Sequence, residues 1–314
     1  MTEVLELDVL PRRRVVRRGV AANATLALAG DAVTKLAALG AMVFAARLLP
    51  VHEFAALGVA LAVSTVLTAA LDAGVATLVV RDGAAGRAEA GMLLRSSLFA
   101  RLPLLALACA GAAIAGSALH ERALALLVLG GAAAGAASLS LFGAFRAAQD
   151  LAFEAALKGV TALVGPAAVF VLAHARPTAA SVLLGLTIGA VAVLPPLALA
   201  LPRVIARGRR RPAWETARAA VPFGAMALAT LAYYRLGTIM LGAWRPPREV
   251  AQFTIASTLA FGLLVLPNAV TTGLLPRLSA EADPEARRAP ARAALEWTVR
   301  ICVVTAAAVV VAAP

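Results

Sequence analysis

The sequence predicts an all-α integral membrane protein: about nine transmembrane helices forming a six-helix N-terminal lobe and a partial C-terminal lobe. Three observations carry that expectation. Of 314 residues, 61% are hydrophobic and only 15% charged, and the mean hydropathy is +0.87. A soluble domain of this size carries roughly a quarter of its residues as charges, so much of this surface must face lipid. Apolar stretches of about 20–27 residues recur along the chain, long enough to cross ~30 Å of hydrocarbon at ~1.5 Å per residue. Finally, the basic residues gather on alternate loops. Long apolar runs instead of ten-residue alternation exclude a β-barrel.

The expected spans are 19–46, 54–80, 97–118, 123–145, 157–173, 178–201, 219–243, 250–275 and 293–314. Residues 1–10 do not read as a signal peptide. They carry Glu3, Glu6 and Asp8, and the first apolar stretch follows Arg12, Arg13, Arg14, Arg17 and Arg18 without a small-residue cleavage site. Cys109 and Cys302 both fall inside apolar stretches, which argues against a disulfide framework or a cysteine metal site. The ninth stretch runs straight to Pro314 with no polar tail, from which we expect the chain to be a fragment.

Alternating the loops places 20 basic residues on one side and 5 on the other. The larger set includes the N-terminal arginines, Arg81, Arg87 and Arg95, Arg146 and Lys158, and the run from Arg203 to Arg218. The smaller set is Arg47, Arg122, Arg176, Arg245 and Arg248. The positive-inside rule then puts the N-terminus in the cytoplasm. The net charge of +12 is accounted for by these short loops, as topology signals and contacts for anionic lipid headgroups. Nucleic-acid binding is not expected.

The longest basic loop, 202–212, separates an N-terminal lobe (1–201) from a partial C-terminal lobe (213–314) with three helices. At a constant offset of 196, Pro50 matches Pro246, Glu53 matches Glu249, Arg81 matches Arg277, and Asp72 falls on Asn268. Transporters are commonly built from such repeats, with the substrate path between them.

Several of these positions also carry a family likeness. Ala46-Arg47-Leu48-Leu49-Pro50-Val51-His52-Glu53-Phe54 resembles the "AR-L-G-P-x-E-(F/Y)-G" turn of bacterial oligosaccharide flippases, and Asp72-Ala73-Gly74 resembles their "D-x-G". In the second lobe, Tyr234-Arg235-Leu236 with Leu241-Gly242 is similar to "Y-x-R-x-D-x-x-x-L-G". Glu249-Val250-Ala251-Gln252-Phe253 is similar to the helix start that follows it. The likeness covers 19–95 and 214–277 and points to the polysaccharide-flippase branch of the multidrug/oligosaccharidyl-lipid/polysaccharide exporter superfamily. It implies a polyprenyl-diphosphate-linked oligosaccharide as substrate, alternating access between two lobes, a bacterial inner-membrane location, and polysaccharide-assembly glycosyltransferases or a polymerase as partners. It also implies further C-terminal helices. One departure matters: the acidic residue expected two positions after Arg235 is Gly237, so no role of that acid carries over.

Charges within spans are costly, at least ~2.5–3.5 kcal/mol each, and normally face a bundle interior or a wet cavity. Asp31 and Lys35 are four apart and share a helical face. Counted from Gly19, they lie ~18 and ~24 Å along the first helix, and Arg235 lies ~24 Å along the seventh. Arg235, Lys35, Asp31 and Tyr234 are therefore the candidate substrate-binding residues, with Arg235 suited to phosphate through its guanidinium fork. Two alternatives stand beside this: Asp31 and Lys35 neutralise each other within the helix, or Arg235 snorkels beside Tyr233 and Tyr234. Asp72 and Arg101 are candidate gating or structural residues near the cytoplasmic ends. Arg300 reads as snorkelling, and Glu154 with Lys158 reads as an ordinary i, i+4 helix pair.

His52, His120 and His174 fall in different outer loops without metal-ligand spacing, so no metal or cofactor is expected. No G-x-x-x-x-G-K-[ST] loop occurs, and the chain itself should not hydrolyse nucleotide. Flipping of a lipid-linked oligosaccharide leads. The alternatives are an exporter of small organic cations, for which only Asp31 and Asp72 offer anionic groups, and a membrane glycosyltransferase or acyltransferase, for which the short loops offer few catalytic groups. A non-catalytic scaffold is the remaining reading.

Overall fold

In a computed structural model of the chain, the described residues are 20–84, 119–148, 150–203 and 213–263, with isolated positions between 292 and 303. Their regular structure is entirely helical. The helices are α1 (Val20–Leu48), α2 (Val51–Asp72), α3 (Val75–Ala84), α4 (Leu119–Ala147), α5 (Leu151–Ala175), α6 (Ala179–Ala192), α7 (Leu194–Ala200), α8 (Ala213–Trp244) and α9 (Pro247–Leu263), with a 3-10 turn at Leu201–Arg203. Five segments are long and apolar enough to cross a membrane: Ala29–Leu48, Val51–Asp72, Arg122–Ala147, Leu151–Ala175 and Ala179–Ala200. They coincide with the first, second, fourth, fifth and sixth expected spans. The protein is an all-α membrane protein.

The seventh expected span corresponds to α8 and the eighth begins with α9. The third, 97–118, and Arg101 within it lie outside the described residues, as does 204–212 of the basic loop. Only isolated positions of the ninth are described; there Arg300 is exposed and faces Glu296 at 3.8 Å.

The second span departs from expectation. Read as one helix over 54–80, it is broken at Ala73 and Gly74, whose φ angles of 50° and 79° lie in the left-handed region. Glycine tolerates that conformation without a Cβ penalty. The Asp72 carboxylate then accepts from the Ala76 amide at 3.3 Å, satisfying a donor in the first turn of α3 where a helix favours negative charge. The sixth span is likewise divided at Val193, where Pro195 and Pro196 can open α7 but cannot continue α6.

Packing follows from small residues. In lipid, apolar burial gives helices little reason to associate, so close van der Waals approach must do it. Gly185 and Gly189 of α6 sit against Val169 and Gly165 of α5, where a Cβ on Gly189 would lie 2.6 Å from the Gly165 Cα. α5 also carries the main contact of α1, while α2 packs between α4 on one side and α8 and α9 on the other. The largest buried cluster joins Ala45 and Leu49 of α1, Phe54 and Leu57 of α2, Val169 of α5, Val182 of α6, and Val250 of α9.

The offset of 196 recurs in the backbone. α1 ends at Leu48 and α8 at Trp244; α2 starts at Val51 and α9 at Pro247. The Leu49 amide donates to the Ala45 carbonyl as Arg245 does to Leu241, and Phe54 donates to Pro50 as Val250 does to Pro246. Pro50 and Pro246 both stand immediately before a helix. The two turns share their helix boundaries and these hydrogen bonds.

Candidate functional site

The seam between α2–α3 and α8 is pinned at two points. Near one end, a Cβ on Gly242 would meet Val59 Cγ2 at 2.4 Å, and Gly58 lies beneath Thr254 of α9. Near the other, Gly74 and Gly224 abut: a Cβ on either would fall within 2.6 Å of the opposing backbone. Along this seam α2, α3, α4 and α8 line a cavity of about 740 Å³, in the range of small-molecule sites. α2 contributes Ser64, Thr65, Thr68 and Asp72; α3 contributes Thr77 and Arg81; α4 contributes Leu139 and Arg146; α8 contributes Ala227 and Leu231.

The polar groups of this lining have distinct attachments. Thr65 and Thr68 donate to the carbonyls of Leu61 and Ser64 at 2.7 Å, which leaves their oxygens as acceptors. Asp72 is buried and takes a hydrogen bond from Ser140 Oγ at 2.9 Å. With its bond from Ala76, this is a structural position on the cavity wall. Arg81 stacks over the Phe223 ring at 4.9 Å and ties α3 to α8.

Arg146 ends α4, and the short turn to α5 sets it opposite Glu154, itself 1% exposed. Arg146 Nε donates to both carboxylate oxygens at 2.9 and 3.0 Å, and Nη2 donates to Oε1 at 2.6 Å. Lys158 Nζ lies 2.7 Å from the same Oε1 and also donates to Asp31 of α1. The result is a chain of alternating charge, Arg146–Glu154–Lys158–Asp31, across three helices. Only paired and hydrogen-bonded charges are tolerable at such burial.

The expected site residues are distributed around this frame. Asp31 pairs with Lys158 and not with Lys35, so the intrahelical alternative does not describe it. Lys158 lies two turns into α5, which puts Asp31 about 10 Å from that end of the bundle. Lys35 is exposed, one turn further along α1. α1 lies mainly on α5, touches α9 and makes little contact with α8. Arg235 is half-buried, and Tyr234 beside it is exposed. Arg235 follows Leu231 by one turn and lies within about 20° of the α8 face that carries Gly224 and Gly242. Interpolating between the two pinned points sets it level with Thr65. The structure thus joins Asp31 to the Arg146 wall of the cavity, sets Arg235 one turn beyond Leu231 and outside the residues that line it, and leaves Lys35 apart.

The sequence reading missed Arg146 and Glu154 as a unit, having counted Arg146 as a topology signal. The available clue was three charges at 146, 154 and 158 in a tight helical hairpin.

A family model described as polysaccharide biosynthesis protein matches residues 20–280. The chain belongs to this family. The match spans the Asp72-Ala73-Gly74 break and the hairpin of Arg146 and Glu154. No curated protein matches, and no solved structure matches. Members of the family are typically transporters rather than enzymes, and the apolar helices place this protein among membrane components of polysaccharide biosynthesis and export.

Proposed function

We propose that the protein flips a polyprenyl-diphosphate-linked oligosaccharide across the bilayer by alternating access of its two lobes. The single observation that carries this reading is the cavity between α2–α3 and α8, which combines hydroxyls with arginines. Hydroxyl oxygens suit sugar hydroxyls as acceptors, and guanidinium forks suit a diphosphate. The polyprenyl tail stays in lipid while the headgroup crosses. Arg235 is assigned as the principal diphosphate contact, with Lys35 and Tyr234 as further headgroup contacts. Asp31 acts through Lys158, and Asp72 and Arg101 keep gating or structural roles.

The arginine bias supports a bacterial inner-membrane orientation with the N-terminus in the cytoplasm. The Arg81 and Arg146 end of the cavity then faces the side where such substrates are made. Anionic lipids contact the basic loops, and glycosyltransferases or a polymerase of polysaccharide assembly are proposed partners. Export of organic cations fits less well: Asp72 is committed to Ser140 and Ala76, and the other charges of the cavity are cationic.

Deletion in the native cell tests the reading. Lipid-linked saccharide should accumulate on the cytoplasmic leaflet, and the intact gene should relieve it. Normal glycan export with altered sensitivity to organic cations would instead favour the alternative.

A further inference from the structure

The headgroup path assigned through Arg235 makes no use of the four-charge chain, yet one end of that chain opens into the cavity. We propose that Arg146 is a second, switchable diphosphate contact, and that Glu154 is the positioning residue that competes with the diphosphate for it. This rests on the reading of the cavity as a headgroup path.

The geometry supplies each part. Arg146 lines the cavity and its side chain is 39% exposed, whereas Glu154 is 1% exposed. An anion in the cavity can therefore reach the guanidinium but not the carboxylate. Glu154 Oε1 is shared by Arg146 Nη2 and Lys158 Nζ at nearly equal distances, 2.6 and 2.7 Å. When Arg146 turns to a diphosphate, Glu154 keeps Lys158 and is not left as a lone buried charge. Asp31 completes the balance by holding the other side of Lys158. Two acids and two bases make the resting chain neutral, so a diphosphate arriving at Arg146 meets a competitor already in place. That competition weakens binding and aids release, which a carrier needs as much as capture. Arg81 stands on the same wall as a second cation.

The test is inorganic pyrophosphate binding to the purified full chain, measured by calorimetry in nanodiscs of phosphatidylcholine and of phosphatidylglycerol. Arg146→Gln should weaken binding about tenfold. Glu154→Gln/Lys158→Gln keeps the network neutral, which protects folding, and should tighten binding about tenfold because the competitor is gone. Adding Arg146→Gln to that pair should abolish the gain. Unchanged affinity in Arg146→Gln, or a gain that survives its addition, overturns the proposal. So does an Arg146 effect seen only as altered retention of phosphatidylglycerol, which would make the site a lipid contact. If pyrophosphate behaves as expected but the protein moves no lipid-linked saccharide, the transport reading fails and this site stands.

Discussion

Gly74 and Gly224 meet so closely that a Cβ on Gly74 would lie 2.3 Å from the Gly224 backbone nitrogen. The helix break after Asp72 and the tight seam between α2–α3 and α8 therefore depend on the same residue. Gly74→Ala adds a methyl where backbone blocks it and where φ is +79°. A loss of about 1–3 kcal/mol from overpacking is expected, with further strain from the left-handed backbone. Gly130→Ala, with open space around it, should be neutral. Thermal unfolding in detergent compares the two, and equal stability would contradict the seam.

Glu53 gives a second test. Its carboxylate accepts from the Ala179 amide at 2.7 Å and adds to the cap that Thr178 provides through Ser181. Glu53→Ala should destabilise the start of α6 by about 1 kcal/mol, with Glu53→Gln retaining part of it. Faster proteolysis around 176–178 is the readout, and no change in either variant would deny the tie.

The charge chain predicts an asymmetry. Glu154→Ala leaves Arg146 and Lys158 facing each other without their shared carboxylate, and removing one partner of a buried pair costs about 3–5 kcal/mol. Asp31→Asn should cost clearly less, because its side chain is 47% exposed and Lys158 keeps Glu154 as its partner. Folded yield and unfolding temperature rank the variants; Asp31→Asn as damaging as Glu154→Ala would contradict this energetics.

The five spans that match apolar helices were legible because length and apolarity decide them, and the Pro50 and Pro246 turns because similar residues make the same hydrogen bonds there. The break at Ala73 and Gly74 was harder to see. Asp72-Ala73-Gly74 stood out as a motif, but an apolar run continues through it, and only the opposing Gly224 shows why the helix must part. The charge chain was legible in pieces only. Glu154 and Lys158 are four apart and look self-sufficient, whereas Asp31 lies 127 residues before Lys158. No local pattern reports a partner that distant.

Orientation rests on the arginine bias and is independent of the cavity. A cysteine placed at Arg209 should react only with reagent on the cytoplasmic side, and one at His120 only from outside. The reverse at either position would invert the assignment.

Transport itself is tested most directly in liposomes that hold a fluorescent polyprenyl-diphosphate saccharide, scored by its transfer between leaflets. The wild-type chain should accelerate transfer over empty liposomes. Arg235→Ala should slow it about ten- to a hundredfold, the loss of one charge-assisted phosphate contact. Arg235→Lys should fall between, keeping the charge but not the fork. Lys35→Ala should slow it less than Arg235→Ala. Wild-type rates in Arg235→Ala at equal reconstitution would contradict the assigned contact, and no acceleration by the wild-type chain would contradict the flippase reading.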